Sequence, residues 1–595
     1  MWRYDPPLRD IQFVIEDVLK APAQWARWPA VFEVDADTAR QVVEEAGRFA
    51  SEILAPTNQP GDAEGGCRYE NGKVRTPAGY PEAYKAFVEA GWPALACDPE
   101  VGGQGLPHVL NAALYEMLTS ANHAWTMYPG LLQGAYDCLY AHASPELRER
   151  YLGKIVSGEW LGTMCLTEAH AGSDLGLLRT RAEPQADGSY RITGTKIFIS
   201  GGDQDMTDNI VHLVLARLPD APAGTRGISL FVAPKKLPLG ADDSAGFEPN
   251  AVRCDGIEKK MGIKGSATCV LSFEGARGFL VGEPHRGLAA MFAMMNASRL
   301  HVGLQGVGHA EAAFQNAWRY ASERLQMRAA QRPEGAAAGA GADPIVWHPA
   351  VRRVLWNMKA RLEGGRILAY DAAALLDQLH HEDDPARKAE AGEIVSLLTP
   401  VIKSWLTENG FQSASQALQL FGGHGYVHDY GIEQCVRDSR IAMIYEGTNE
   451  IQAIDLLVRK LLPEGGAKLA HLRRWVQARM AEAGCGDSLT AREVERLGDQ
   501  IAACTERIAE AQQANKEAAL TVADDYMTAL AQWLLGGAWA RADAAASRAD
   551  GADEFIRTKR QTAAHFFAFV LPEAQLALRR IEAGLATGLP FLASA

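Results

Sequence analysis

Glu446 is the residue in this 595-residue chain whose surroundings most suggest chemistry. It follows Ile441-Ala-Met-Ile-Tyr445, a run without charge, and directly precedes Gly447. A carboxylate in an apolar, poorly hydrated place holds its proton more tightly than in water. That makes it a base fit to remove a proton near neutral pH. Gly447 lets the backbone turn sharply and approach a ligand. Thr448 is placed to cap a helix over 449–460. A surface Glu at a helix end is the alternative reading of the same stretch.

Other clusters offer groups that could line such a site. Met164-Cys-Leu-Thr-Glu-Ala-His-Ala-Gly-Ser-Asp174 brings the hydroxyls of Thr167 and Ser173, and Ala171-Gly172 lets a flat or extended ligand pass close to backbone N–H groups. Read alone, it is equally a polar turn capped by Asp174. Lys196-Ile-Phe-Ile-Ser-Gly-Gly202 ends a strand pattern with Phe198, suited to lie against a ring system, and Ser200, suited to bond its edge. A core Phe before a turn is the other possibility.

Leu418-Gln-Leu-Phe-Gly-Gly-His-Gly-Tyr426 ends a helical pattern in more glycine than a helix stop needs. The surplus leaves N–H groups for an anion such as pyrophosphate, although the Walker lysine and the G-x-G-x-x-G spacing are absent. Asn296-Ala-Ser-Arg299 lies in an apolar helical run, where Arg299 needs either a buried acid or a ligand.

The elements that must position these groups follow from length and period. The chain is too long for one hydrophobic core. Residues 1–34 read as an N-terminal extension and 35–160 as a helical domain, with helices over 35–53, 81–90 and 109–157 around a Gly/Pro-rich loop at 91–107. Over 161–283 the period changes to two, with strands at 190–200, 210–216, 228–233 and 269–273, which suits an antiparallel barrel or sandwich. Residues 284–465 return to helices at 287–327, 350–378, 385–420 and 449–461, the pattern of a four-helix bundle. A Gly/Ala-rich mobile surface loop at 332–344 interrupts them. Residues 466–595 form a C-terminal helical extension, with helices at 490–513, 516–547 and 554–583. The expected class is therefore mainly α with a central β domain.

Composition narrows the function. With 59 basic against 73 acidic side chains the net charge is -14, and no basic tract offsets it, so nucleic acid is not the expected partner. Nine scattered cysteines without a C-x-x-C pair point away from a zinc site or disulfide framework and towards a reducing compartment, with the cytoplasm as default. The first ten residues lack an apolar signal core, and no run of about twenty apolar residues would make an integral membrane segment.

Together the motifs T-E-x-x-A-G-S-D, K-I-F-I-S, N-A-S-R, F-G-G-H-G-Y and Y-E-G-T, in this order, resemble the acyl-CoA dehydrogenase family over roughly residues 35–463. That fold has an N-terminal helical domain, a middle β-barrel and a C-terminal four-helix bundle. Tyr4-Asp-Pro-Pro-Leu-Arg-Asp-Ile-Gln-Phe13, the segment 259–269 and the C-terminal helices are similar to a longer branch, which includes 3-methylmercaptopropionyl-CoA dehydrogenases and relatives acting on other acyl-CoAs.

The resemblance implies FAD-dependent α,β-dehydrogenation of an acyl-CoA to the trans-2-enoyl-CoA, as in β-oxidation of fatty acids. Glu446 would take the α-proton and flavin N5 the β-hydride. Met164, Leu166, Thr167, Phe198 and Ser200 would meet the flavin, and Thr448 and Glu450 would line FAD. Gln419, Gly422, Gly423 and Arg324 would hold the FAD of the other subunit, which implies a homodimer. Ser173, Asn296, Arg299 and Gly447 would face the substrate. Some relatives carry the base just before the arginine matching Arg299; here that residue is Ser298, which favours Glu446.

Two departures stand out. Leu325-Gln-Met-Arg328 replaces the usual Lys-x-Phe-Gly after Arg324, and Phe198 replaces the usual Trp. Electrons are expected to pass to an electron-transfer flavoprotein; an acyl-CoA oxidase using oxygen and a non-catalytic flavin-binding scaffold are the alternatives. The C-terminal helices are expected to cover a bundle face rather than to dock on a membrane surface.

Overall fold

The computed structural model describes residues 2–31, 33–240, 243–336 and 341–591. They fall into two compact units, one of residues 1–47, 108–120 and 302–595, the other of residues 48–107 and 121–301.

The second unit is built on a seven-stranded sheet: β1 Leu161–Cys165, β2 Arg181–Pro184, β3 Tyr190–Ser200, β4 Ile210–Arg217, β5 Ile228–Pro234, β6 Val252–Ile257 and β7 Thr268–Val281. The pairing runs β6-β7-β3-β2-β4-β1, and β5 joins β7 to β4, so five of the strands close a ring. The expected wholly antiparallel barrel is corrected in one respect. β1 and β2 each pair parallel to β4, because a crossover rather than a hairpin returns the chain to that strand. β4 and β5, both foreseen from sequence, are buried almost throughout and, apart from His212, Arg217 and Ser229, are apolar runs rather than alternating ones.

Helix Leu132–His142 packs on β1 at Gly162, where a Cβ would stand 2.7 Å from the Ala135 Cβ. In the same unit the Phe87 and Trp125 rings meet edge to face at 5.4 Å. Asn122 leaves helical geometry, and its side chain bonds Thr57 and Tyr80 instead of continuing the helix.

The first unit holds the long helices Gly287–Glu323 (from Val302), Pro349–His381 and Pro385–Phe421, and a short one at Asn449–Ile454 that continues as a π-turn to Leu461. The first and third of these cross closely at glycine. A Cβ on Gly306 would lie 2.2 Å from the Leu406 carbonyl oxygen, and Gly410 sits against Gly306. The C-terminal segment adds helices Ala467–Glu482, Leu489–Ala514, Ala518–Arg548, Glu554–His565 and Glu573–Thr587. The first of these was not foreseen; its buried face is the narrow stripe of Leu469, Leu472, Val476 and Met480. Residues 337–340 of the expected mobile loop lie outside the described residues. The ends of that loop are pinned, with Gln326 N and Ala329 N donating to the Asp343 carbonyl and carboxylate.

Helix Pro349–His381 fastens both terminal segments. Trp539 lies against Gly364 and donates to the Ala360 carbonyl at 2.8 Å. Arg541 makes a two-pronged ion pair with Asp371, both buried. Lys559 pairs with Asp10 of the N-terminal segment and lies 2.9 Å from Glu363, itself paired with Lys359. Burial alone would raise the Asp10 carboxyl, but Lys559 beside it holds it well below the usual range. Lys559→Met should therefore leave half-buried Asp10 without its lysine and buried Glu363 with Lys359 alone, and lower unfolding stability by about 2 kcal/mol, measured by denaturant titration.

Candidate active site

Glu446 adopts φ 58 and Gly447 φ 85. The left-handed region disfavours a side chain by roughly 1–2 kcal/mol, so Glu446 must be held there by its neighbours. Thr448 caps the next helix as expected, its Oγ1 accepting from Ile451 N at 3.4 Å. Asn449 ties the loop down: its Oδ1 accepts from Lys403 Nζ at 3.0 Å and Thr407 Oγ1 at 3.2 Å, and its Nδ2 donates to the Ser404 carbonyl at 3.1 Å.

The helix that supplies these partners contains Pro400. Proline has no N–H to give the carbonyl four residues back. That carbonyl belongs to Ser396, and Lys460 Nζ donates to it at 2.8 Å. Gln452 Nε2 donates to the Glu446 carbonyl at 3.0 Å, and the Tyr445 hydroxyl donates to Gln305 Oε1. Glu446 itself is half-buried rather than enclosed. Glu450 is exposed, with its carboxyl lowered by the Thr448 hydroxyl and backbone N–H groups of the helix start.

At the far end of helix Pro385–Phe421 stand Gln419, Gly422 and Gly423, all exposed, with open space where a Cβ on either glycine would go. Tyr320 stacks on Phe421 at 4.1 Å, and its hydroxyl meets His424 Nδ1 at 2.8 Å. Arg324, whose N–H donates to the Tyr320 carbonyl, is thereby brought to the same end of the bundle. Lys403, which anchors the Glu446 loop, is sixteen residues from Gln419 on this helix, about 24 Å at 1.5 Å per residue.

In the other unit, Ile197 N donates to the Thr167 carbonyl at 2.9 Å, which sets the Met164–Thr167 end of β1 beside the Phe198–Ser200 end of β3. Thr167 and Ser200 are half-buried. Phe198 has φ 58 and is 59% exposed, so it is not the core residue that a strand pattern allows; the left-handed backbone turns the ring out of the sheet. Ser173 is exposed, and Asp174 Oδ1 accepts from Gly176 N at 2.9 Å as the turn chemistry suggests. Asn296 and Arg299 follow one another on helix Gly287–Glu323, exposed and half-buried respectively.

A buried ion pair supports this strand end. Lys196 Nζ bonds Glu168 Oε1 and the Leu166 carbonyl, each at 2.9 Å. Glu168 also accepts from Arg179 N and from Thr180 N and Oγ1. Burial would raise the Glu168 carboxyl, but Lys196 and these donors bring it down to about 2. Glu168, Lys196, Gln305, Asn449 and Gln452 were not singled out from sequence. The charge of Lys196 within an alternating strand, and Pro400 within a helical run, were the available signals.

Taken by itself, the strand end in the second unit, an exposed ring on a strained turn with two hydroxyls near it, has the chemistry to meet a flavin ring; the bare glycines and the arginine at one end of the first unit's bundle have the chemistry to meet a pyrophosphate. Residues 36–159, 163–276 and 285–461 match the acyl-CoA dehydrogenase N-terminal, middle and C-terminal domain families, and 470–589 match a family described as acetyl-CoA dehydrogenase C-terminal like. The chain is 44% identical to 3-methylmercaptopropionyl-CoA dehydrogenase of Ruegeria pomeroyi over 84% of its own length and 83% of that protein. It is 36% identical to the broad-specificity linear acyl-CoA dehydrogenase FadE5 of Mycobacterium tuberculosis, over 76% and 75%. In fold it is similar to an acyl-CoA dehydrogenase complexed with FAD from Bacillus anthracis (TM-score 0.73, 20% identity, 95% and 91% covered). It is also similar in fold to Caenorhabditis elegans ACDH-11 in complex with C11-CoA (TM-score 0.71, 18% identity, 95% and 91% covered).

The Glu168–Lys196 pair makes a pH prediction. A carboxyl depressed to about 2 in the fold contributes stability above its ordinary value near 4.5, and that contribution is lost as pH falls between the two. Lys196→Met should lower the melting temperature at neutral pH. The gap to wild type should narrow as pH falls from about 4.5 through about 2, below which Glu168 is neutral in both proteins.

Proposed function

The chain belongs to the acyl-CoA dehydrogenase family and is an FAD-dependent oxidoreductase. From that premise we propose that it dehydrogenates an acyl-CoA thioester between Cα and Cβ, with Glu446 as the base. One observation carries the reading: a carboxylate stands at φ 58 before Gly447 on a loop braced from two helices. Such a position is costly and persists where the surroundings over-determine it.

In this reading Glu446 takes the α-proton, and its backbone N–H donates to the thioester oxygen, where negative charge grows as the proton leaves. FAD, when bound, supplies the acceptor for the hydride that leaves the β-carbon. Thr167 and Ser200 hold the flavin edge, Met164 and Leu166 contribute backbone contacts, and Phe198 lies near the ring. Thr448 and Glu450 line the cofactor after the loop. Ser173, Asn296 and Arg299 hold the CoA portion, and Gly447 gives the acyl group room to approach.

Gln419, Gly422, Gly423 and Arg324 receive the ADP portion of a second subunit's FAD in a homodimer. Their separation of about 24 Å from the anchor of the Glu446 loop supports service to a different cofactor. Electrons leave to an electron-transfer flavoprotein. All nine cysteines are free, which supports a reducing compartment such as the cytoplasm. Among the described residues, no helix is long and apolar enough to cross a membrane.

Glu446→Gln tests the reading. The variant should retain FAD and bind acyl-CoA, while anaerobic bleaching of the flavin slows about a thousandfold. Bleaching at the wild-type rate would remove Glu446 from the mechanism.

A further inference from the structure

The strain at Glu446 raises the question of what holds it. Tyr445 and Glu446 are each held by an uncharged amide, Gln305 and Gln452 respectively. Gln452 is 1% exposed, and its Nε2 donates to the Glu446 carbonyl at 3.0 Å. A Cβ on Gly447 would come 2.7 Å from that nitrogen, so the bare glycine is what admits the contact. Gln305, 7% exposed on helix Gly287–Glu323, accepts from the Tyr445 hydroxyl. Burial, and then the charge of Glu446, raise the Tyr445 phenol, so it stays a donor.

We propose that Gln452 and Gln305 are positioning residues that hold Glu446 in its left-handed conformation, one through the Glu446 carbonyl and the other through Tyr445. The proposal rests on Glu446 being the base.

Two features favour this over packing alone. Among the described residues, Gln452 Oε1 is buried without a hydrogen-bond partner. An unsatisfied buried acceptor is costly, and an apolar side chain of the same shape would avoid it. The side chain therefore acts through its donor end, which is the end on Glu446. Second, both clamps are neutral. A lysine or arginine at position 452 would also donate to the Glu446 carbonyl but would favour ionised Glu446 and weaken it as a base, and at position 305 neither could accept from Tyr445. A carboxamide fixes the backbone and leaves the basicity of the carboxylate to its own surroundings.

The experiment uses the FAD-loaded enzyme, mixed anaerobically with butyryl-CoA, octanoyl-CoA or 3-methylmercaptopropionyl-CoA. Bleaching is followed against ligand concentration, which separates the limiting rate from the apparent Kd. Gln452→Met and Gln305→Met keep shape and lose the polar contact. Each should lower the limiting rate by about tenfold to a hundredfold, with Kd within about twofold. Tyr445→Phe combined with Gln305→Met should be no slower than Gln305→Met alone. If Gln452→Met does not load FAD, Gln452→Leu, which likewise has no donor, replaces it.

A wild-type limiting rate in either glutamine variant, or a loss carried by Kd, overturns the proposal. Glu446→Gln, run alongside, separates the two failures. Wild-type bleaching in it removes the base and the clamp together. Slow bleaching in it beside wild-type glutamine variants removes only the clamp.

Discussion

A charge taken out of water has to be paired where it comes to rest, and helix Pro349–His381 carries a row of such charges through the first unit. Arg366 is 1% exposed and reaches Glu116 at 2.8 Å and Glu311, while the Tyr370 hydroxyl completes the shell of Glu116 at 2.8 Å. Further along, Asp377 accepts from His108 N and Trp25 Nε1, and burial lifts its carboxyl to about 7. Removing one member of such a group leaves its partner stranded, which costs more than the pair contributes. Pairs of this kind specify one register between helices that apolar packing alone would let slide.

The reactive loop depends on a second, smaller irregularity. Pro400 interrupts the helix behind it, and the polar groups that accumulate near the interruption become its fastenings: Lys460 on the Ser396 carbonyl, Asn449 on Ser404, Thr407 and Lys403. Glu446 and Phe198, one in each unit, share a left-handed backbone that their side chains disfavour. In each case the strain aims a side chain away from where regular structure would leave it.

Much of this was legible in the residues. The strand over 190–200 and the helix ends near 287, 385 and 421 were readable because periodicity changes there and Gly or Pro marks the stops. The motif set identified the family because its parts occur in one order, although each part alone is an ordinary turn or cap. What stayed hidden was non-local. β1 offers five residues without alternation, and its parallel partner lies 49 positions away in register, Leu161 opposite Ile210. Lys196 is a polar residue in a half-buried strand until Glu168 is known to lie beneath it. Gln305 and Gln452 carry no local signal, since an amide shows its use only when its partner's backbone is placed. Helix Ala467–Glu482 was missed although Leu469, Leu472, Val476 and Met480 form one buried face, because that stripe is narrow and the rest of the helix is polar or alanine.

The way the C-terminal helices are fastened bears on how such a chain could be shortened. Trp539 fills the gap left by Gly364, Arg541 neutralises Asp371, and Lys559 neutralises Asp10 at the opposite end of the sequence. Cutting the chain after Leu462 would not release a spare module. It would leave a grooved helix with Asp371 deprived of its guanidinium and an N-terminal segment deprived of its lysine. A shortened version of this enzyme would therefore have to be recoded at Asp10 and Asp371, and at the groove beside Gly364, as well as truncated.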